Sequence, residues 1–159
     1  MTGGAGPFLR SLLFLILAPG SVTVLFPWLL LRASEREPLM PVIGGVLIAA
    51  GVAVLLWSFV GFAFIGRGTP APYDAPPRLV IWGPYRWVRN PMYLAVLAIL
   101  VGESLAFSPR LLVYAAIVAA AFYLFVRLYE EPTLSARFGE DYVSYRRRVG
   151  AWLPRPPRR

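Results

Sequence analysis

The sequence predicts an all-α integral membrane protein with four transmembrane helices, both termini in the cytoplasm, and an amphipathic C-terminal helix. Three observations carry this. Hydrophobic residues make up 58% of the 159-residue chain, against roughly 45–50% in soluble domains, and the mean hydropathy is +0.62. Four apolar segments approach the roughly 20 residues that cross a bilayer. Arginines, which supply all sixteen basic charges, gather on alternate connections. A chain of this length has room for one domain, 1–159, with the first two spans in 1–65 and everything else in 66–159.

The first span is expected from about Phe8 to Leu31, interrupted by Pro19-Gly20 and Pro27. Arg10 and the apolar run after it allow a signal peptide. Hydrophobicity resumes to Leu31 without an A-x-A site, so the reading is a retained span. The second runs from about Leu39 to Ile65, the third from Met92 to Phe107 and the fourth from Leu111 to Tyr129. Small residues at Gly45/Ala49, Ala115/Ala119 and Ala116/Ala120 offer close-packing ridges. Glu103 is the one acid inside a span; it reads as an interfacial carboxylate near Arg110 or as an intramembrane polar site.

Orientation follows from the arginines. With both ends cytoplasmic, thirteen of the sixteen fall inside: Arg10, four in the connection between spans two and three, and eight from Arg127 onward. The positive-inside rule selects this arrangement. It puts the second connection and the C-terminal tail on one face. In the tail, Leu134, Phe138, Tyr142, Tyr145 and Val149 recur at helical spacing. Gly139 weakens or kinks that helix. The tail can lie on the membrane or fold over a site, and Trp152-Leu153-Pro154 reads as an interfacial anchor.

Composition excludes much chemistry. There is no cysteine and no histidine, so disulfides, thiolate nucleophiles, imidazole bases and the common zinc ligand sets are absent, and no metal site is expected. The net charge of +8 suits an anionic membrane face. Nucleic acid is not an expected partner, since no motif for it accompanies the charge.

Two polar clusters remain. The run Gly83-Pro84-Tyr85-Arg86-Trp87-Val88-Arg89-Asn90-Pro91-Met92-Tyr93 closes a proline-rich connection of the kind that walls a pocket. Pro91 suits the first turn of the third helix, whose free N–H groups receive anions. Arg86 and Arg89 add charge-assisted donors, and Asn90 offers a donor and an acceptor. The second cluster, Glu130-Glu131-Pro132, ends the fourth apolar segment. Tyr123, Arg127, Glu130, Glu131 and Leu134 share a broad face on a regular helical wheel. The two clusters together are suited to a zwitterion, with Tyr85, Trp87 and Tyr93 available to stack on a base or face a sulfonium.

Gly-Pro-Tyr-Arg-x-Val-Arg-Asn-Pro-Met-Tyr, followed by Glu-Glu-Pro-x-Leu-x-x-x-Phe-Gly-x-x-Tyr-x-x-Tyr and Trp-Leu-Pro, resembles the isoprenylcysteine carboxyl methyltransferase and phospholipid methyltransferase superfamily, in its small bacterial members. Residues 66–154 carry the likeness. It implies a membrane methyltransferase using S-adenosylmethionine, in the bacterial inner membrane with its site facing the cytoplasm. The resemblance assigns cofactor binding to Arg89, Pro91, Tyr93, Glu130 and Glu131, and Gly83, Pro84, Tyr85 and Asn90 of the same run are expected to join them. Catalytic roles are expected of Arg89 and Glu130, and acceptor contacts of Arg86, Arg127, Tyr142 and Tyr145. Asn90 stands where the family has histidine, which removes a titratable group.

Methyl transfer from a sulfonium asks mainly for alignment and exclusion of water. A carboxylate acceptor needs no base, whereas an amine must first lose a proton. The expected acceptor is therefore a hydrophobic or lipid-like carboxylate. A phospholipid amine and a non-enzymatic membrane scaffold with an inherited site are the alternatives. A small transporter is disfavoured, because paired midplane charges and internal repeats are not evident.

Overall fold

The computed structural model describes residues 12–32, 36–61 and 79–155. The regular elements among them are helical, apart from one isolated bridge. Helix α1 spans Leu12–Leu31, α2 Pro41–Val60, α3 Pro91–Ala106, α4 Leu111–Phe138 and α5 Glu140–Arg148. Three of them, α1, α2 and α4, are long and apolar enough to cross a membrane; α3 is a shorter apolar helix. The expected segment ends at Phe8 and Ile65, and most of the proline-rich connection, lie outside the described residues.

Both α1 and α4 contain a π turn, at Ser21–Leu25 and Val126–Glu130. Each turn closes on the residue before a proline. The Phe26 N–H bonds the Ser21 carbonyl ahead of Pro27, and the Glu131 N–H bonds the Val126 carbonyl ahead of Pro132. Proline has no N–H to donate and its ring crowds the carbonyl four residues back. Widening the preceding turn by one residue relieves that crowding and keeps the helix going. Glu130-Glu131-Pro132 thus ends the apolar stretch but not the helix, which continues to Phe138.

Helices α2 and α3 make the most extensive contact in the fold, through glycine. A Cβ on Gly44 would lie 2.5 Å from the Gly102 carbonyl oxygen, and one on Gly51 would lie 2.7 Å from that of Ala95. The expected Gly45/Ala49 ridge is instead turned outward, with nothing within 4 Å of a Gly45 Cβ. Ala115 is buried as expected, while Ala116 and Ala120 are exposed. The core joins Leu55 of α2, Met92, Val96, Ile99 and Leu100 of α3, and Ala115 and Val118 of α4. Large apolar side chains left exposed, among them Val42, Val46, Val113, Ile117 and Leu128, form the surface that a membrane helix offers to lipid.

At the other end of α3, the Arg110 guanidinium reaches Glu37 at 4.0 Å. Glu103, expected near Arg110, is half-buried with a carboxylate oxygen that has no hydrogen-bond partner.

The tail is two helices rather than one. Gly139, at φ +52°, breaks it, a backbone conformation in which glycine has no Cβ penalty. The turn folds α5 inward. Tyr142, Tyr145 and Val149 form a second small core with Leu79, Leu134 and Phe138. Of the two expected roles for the tail, closing over the motif loop is the one this packing serves.

Candidate active site

The motif loop begins in a 3-10 turn, Gly83–Arg86. Gly83 has φ +55°, and a Cβ there would come 2.9 Å from the Trp57 indole nitrogen. Glycine is thus required twice over, by conformation and by space. Pro91 occupies the first turn of α3 with Asn90 as N-cap, but the Asn90 side chain makes no capping bond. Its amide Nδ2 instead donates to the Ala151 carbonyl at 3.1 Å. The backbone continues this tie. Arg89 N–H donates to the Gly150 carbonyl and Arg155 N–H to that of Trp87, both at 2.8 Å, around a parallel bridge between Val88 and Gly150. The Tyr145 hydroxyl donates to the Tyr85 carbonyl at 2.7 Å.

These ties hold the loop against α4. Arg89 Nη1 meets Glu131 Oε1 at 2.8 Å, with only 9% of either side chain exposed. The same nitrogen donates to the Tyr142 hydroxyl at 3.2 Å. Arg89 Nε is buried without a partner. Arg127 and Arg146 approach Glu131 Oε2, each at 3.7 Å. Glu130, the next residue, takes a different partner: the Tyr93 hydroxyl donates to its Oε2 at 2.8 Å. Burial raises the Tyr85, Tyr142 and Tyr145 phenols above their ordinary range. For Tyr142 and Tyr145, the Arg89 charge acts against the shift.

Arg89, Asn90, Tyr85, Tyr93 and Glu130 share the wall of one cavity of about 170 Å³. Its other wall is apolar: Phe14, Ala18, Pro19 and Val22 of α1, Met92 and Val96 of α3, and Phe122 of α4. Residues 14, 18 and 22 lie one helical turn apart, a face readable in the sequence as a stripe but with no motif to mark it. Trp152 stands beside Tyr93 and Tyr123, each at 6.4 Å between ring centres, so it packs next to a residue of the cavity wall.

Other expected site residues stand back from the cavity. Gly83 shapes the turn, and Pro84 lines a separate apolar groove with Trp87 and Pro154 between α2 and α3. Pro91 is buried at the start of α3. Arg86 is exposed. Glu131, Tyr142 and Tyr145 are placed behind the cavity wall, bonded to Arg89 and to the Tyr85 carbonyl.

The phospholipid methyltransferase family model matches residues 39–141. The chain belongs to the phospholipid methyltransferase family. Comparison with curated proteins and with solved structures finds no match. Membership in the phospholipid methyltransferase family implies methyl transfer, and methyltransferases of this kind generally use S-adenosylmethionine.

The residues fit such a cofactor in their chemistry. The buried, unpartnered Arg89 Nε offers a donor for a carboxylate, Glu130 offers a carboxylate for an ammonium, and Tyr85, Tyr93 and Phe122 present rings toward a sulfonium. In size the cavity is below the roughly 300–1,000 Å³ of sites that enclose a drug-sized ligand, so it has room for only part of a molecule of that size.

Proposed function

We propose that the protein is an integral membrane S-adenosylmethionine-dependent methyltransferase acting on a hydrophobic or lipid-like acceptor. In this reading α1 to α4 all cross the bilayer, both termini are cytoplasmic, and the cavity opens on the cytoplasmic side of the bacterial inner membrane. The observation that carries it is a cavity lined both by Arg89, Asn90, Tyr93 and Glu130 and by apolar residues of α1. A lipid-soluble acceptor and a charged cofactor need both kinds of lining.

When bound, S-adenosylmethionine supplies an electrophilic methyl group on a sulfonium. The chain's own residues then have three tasks. Arg89, itself fixed by Glu131 and Tyr142, binds the cofactor carboxylate. Tyr93 orients Glu130 by its hydrogen bond. The apolar residues of α1 and Phe122 exclude water from the reacting atoms, which strengthens the electrostatics inside.

The acceptor atom has two readings. Glu130 places a proton acceptor in the cavity, so the missing histidine does not bar an amine. The family match favours an amine headgroup, with Glu130 taking the proton that an ammonium must lose. A carboxylate acceptor is favoured by the absence of histidine from the chain.

Calorimetry of S-adenosylmethionine binding to the purified protein tests the pocket. Asn90→Ala and Glu130→Ala are expected to weaken binding, and unchanged affinity in both would refute it. Membranes incubated with methyl-labelled cofactor identify the acceptor. Base-labile label released as methanol marks an ester, and base-stable label marks an amine.

A further inference from the structure

Helix α1 lines the cavity with Phe14, Ala18, Pro19 and Val22, yet it is the least buried of the three long helices. A groove of about 620 Å³ separates it from Val52, Leu55 and Leu56 of α2. Pro19 borders both the groove and the cavity, so α1 has unfilled space on two sides there. The helix is also built to bend at this point. The Ser21 and Thr23 hydroxyls donate to the carbonyls of Leu17 and Pro19, four residues back, a bond that often bends helices. Gly20 follows Pro19 directly, and the π turn begins at Ser21.

That π turn leaves one carbonyl over. In a regular α-helix the Val22 carbonyl would accept from the Phe26 N–H. The Phe26 N–H goes to Ser21 instead, and the next residue, Pro27, has none to give. The Tyr114 hydroxyl of α4 donates to the vacated acceptor at 3.0 Å. An unmet carbonyl in the bilayer is costly, so this bond draws α1 over the cavity. Tyr114 has a second acceptor within electrostatic reach, Glu103 of α3. The Glu103 Oε2 is buried and has no hydrogen-bond partner.

We propose that Tyr114 is a latch with two seats. On the Val22 carbonyl it holds α1 closed against the cavity. On Glu103 it frees α1 to rock toward the groove about Pro19-Gly20, which gives the cavity a second, lateral mouth open to the bilayer. The closed seat is the one observed. Glu103, which the methyl-transfer chemistry does not use, lowers the cost of leaving that seat, because the phenol exchanges one acceptor for another. An occupant of the cavity shifts the balance by as much as it prefers one arrangement over the other. That the lateral mouth admits a methyl acceptor rests on the methyl-transfer reading; the latch itself does not.

The chain has no cysteine, so Ala18→Cys places a lone thiol on the cavity wall. The full chain in phosphatidylcholine liposomes is reacted with lipid-soluble N-(1-pyrenyl)maleimide, and the rate is read by fluorescence. Adding Tyr114→Phe removes the latch and keeps the ring; it is expected to raise the rate about fivefold, the population shift that one hydrogen bond sustains. Glu103→Ala removes the second seat and is expected to lower the rate about threefold. Glu103→Gln keeps an acceptor there and is expected to restore it. Leu17→Cys, exposed on the outer side of α1, is expected to react at one rate in every background. Equal Ala18→Cys rates with Tyr114 and with Tyr114→Phe overturn the latch, as does a parallel rise at Leu17→Cys, which marks general loosening. An unchanged rate in Glu103→Ala overturns the second seat. S-adenosylmethionine affinity, measured separately by calorimetry, reports on the methyl-transfer reading independently of the thiol rates.

Discussion

Arg89 and Glu131 form a buried ion pair at 2.8 Å that joins the loop ahead of α3 to the C-terminal third of α4. Removing one partner of a buried pair leaves the other charge uncompensated. Glu131→Gln is expected to destabilise the protein by about 3–5 kcal/mol, read by thermal unfolding in detergent. Little change in melting temperature would mean that the Tyr142 hydroxyl, the other partner of Arg89 Nη1, and not Glu131, sets the position of Arg89.

Tyr93→Phe deletes the donor to Glu130 and nothing else in the ring. A hydrogen bond to a charged group contributes about 1.5–3 kcal/mol. The expected result is a fall in kcat/KM of tenfold or more, roughly, in a labelled-methyl assay. Unchanged turnover would remove Tyr93 from the role of orienting Glu130.

Gly44→Leu drives a side chain into the Gly102 carbonyl, where even a Cβ would sit at 2.5 Å. Overpacking of this kind costs about 1–3 kcal/mol, and more where backbone is the obstacle. The variant is expected to lose folded yield in detergent, measured by size-exclusion chromatography. Gly45→Ala, one residue along and facing open space, is expected to be neutral.

Asn90→Ala releases the Ala151 carbonyl and should loosen residues 149–155 from the loop. Faster limited proteolysis of that segment, with a loss of about 1 kcal/mol in stability, is the expected outcome. Histidine also carries a ring N–H donor, so Asn90→His is expected to restore protection. Equal protease sensitivity of Asn90→Ala and the unsubstituted protein would dismiss the tie.

Alkali should unfold the tail. The Tyr85, Tyr142 and Tyr145 phenols have folded-state values raised by burial, above about 10 in the unfolded chain. Their contribution is fully present below pH ~10 and is lost as pH rises through the folded values. Melting temperature is expected to be flat from pH 8 to about 10 and to fall above it. Tyr145→Phe should lessen the fall while costing about 1 kcal/mol at neutral pH, since the Tyr85 carbonyl loses its donor.

The apolar segments were legible because bilayer thickness and helical rise fix their length. The motif loop and the paired glutamates were legible as polar clusters beside apolar runs. What the regular helical wheel lacked was the π turn ahead of Pro132. One extra residue in that turn sends Glu130 toward Tyr93 and Glu131 toward Arg89, whereas a uniform period assigns the two a common surface. Gly44 and Gly51 are not distinguished from Gly45 by the sequence, because spacing alone does not say which face of α2 meets α3. The roles of Phe14, Ala18 and Val22 in the cavity depend on which helices become neighbours, and no local pattern encodes that.

The loop holding Tyr85, Arg89 and Asn90 is tied to Tyr145 and Ala151 by individual hydrogen bonds, while α2 and α3 make the most extensive contact in the fold. Regions held by few contacts open before the packed core does. The site should therefore have a lower melting point than the bundle that carries it. Gentle warming or mild detergent would abolish cofactor binding while the helical signal stays intact, and bound ligand would raise the first transition without moving the second.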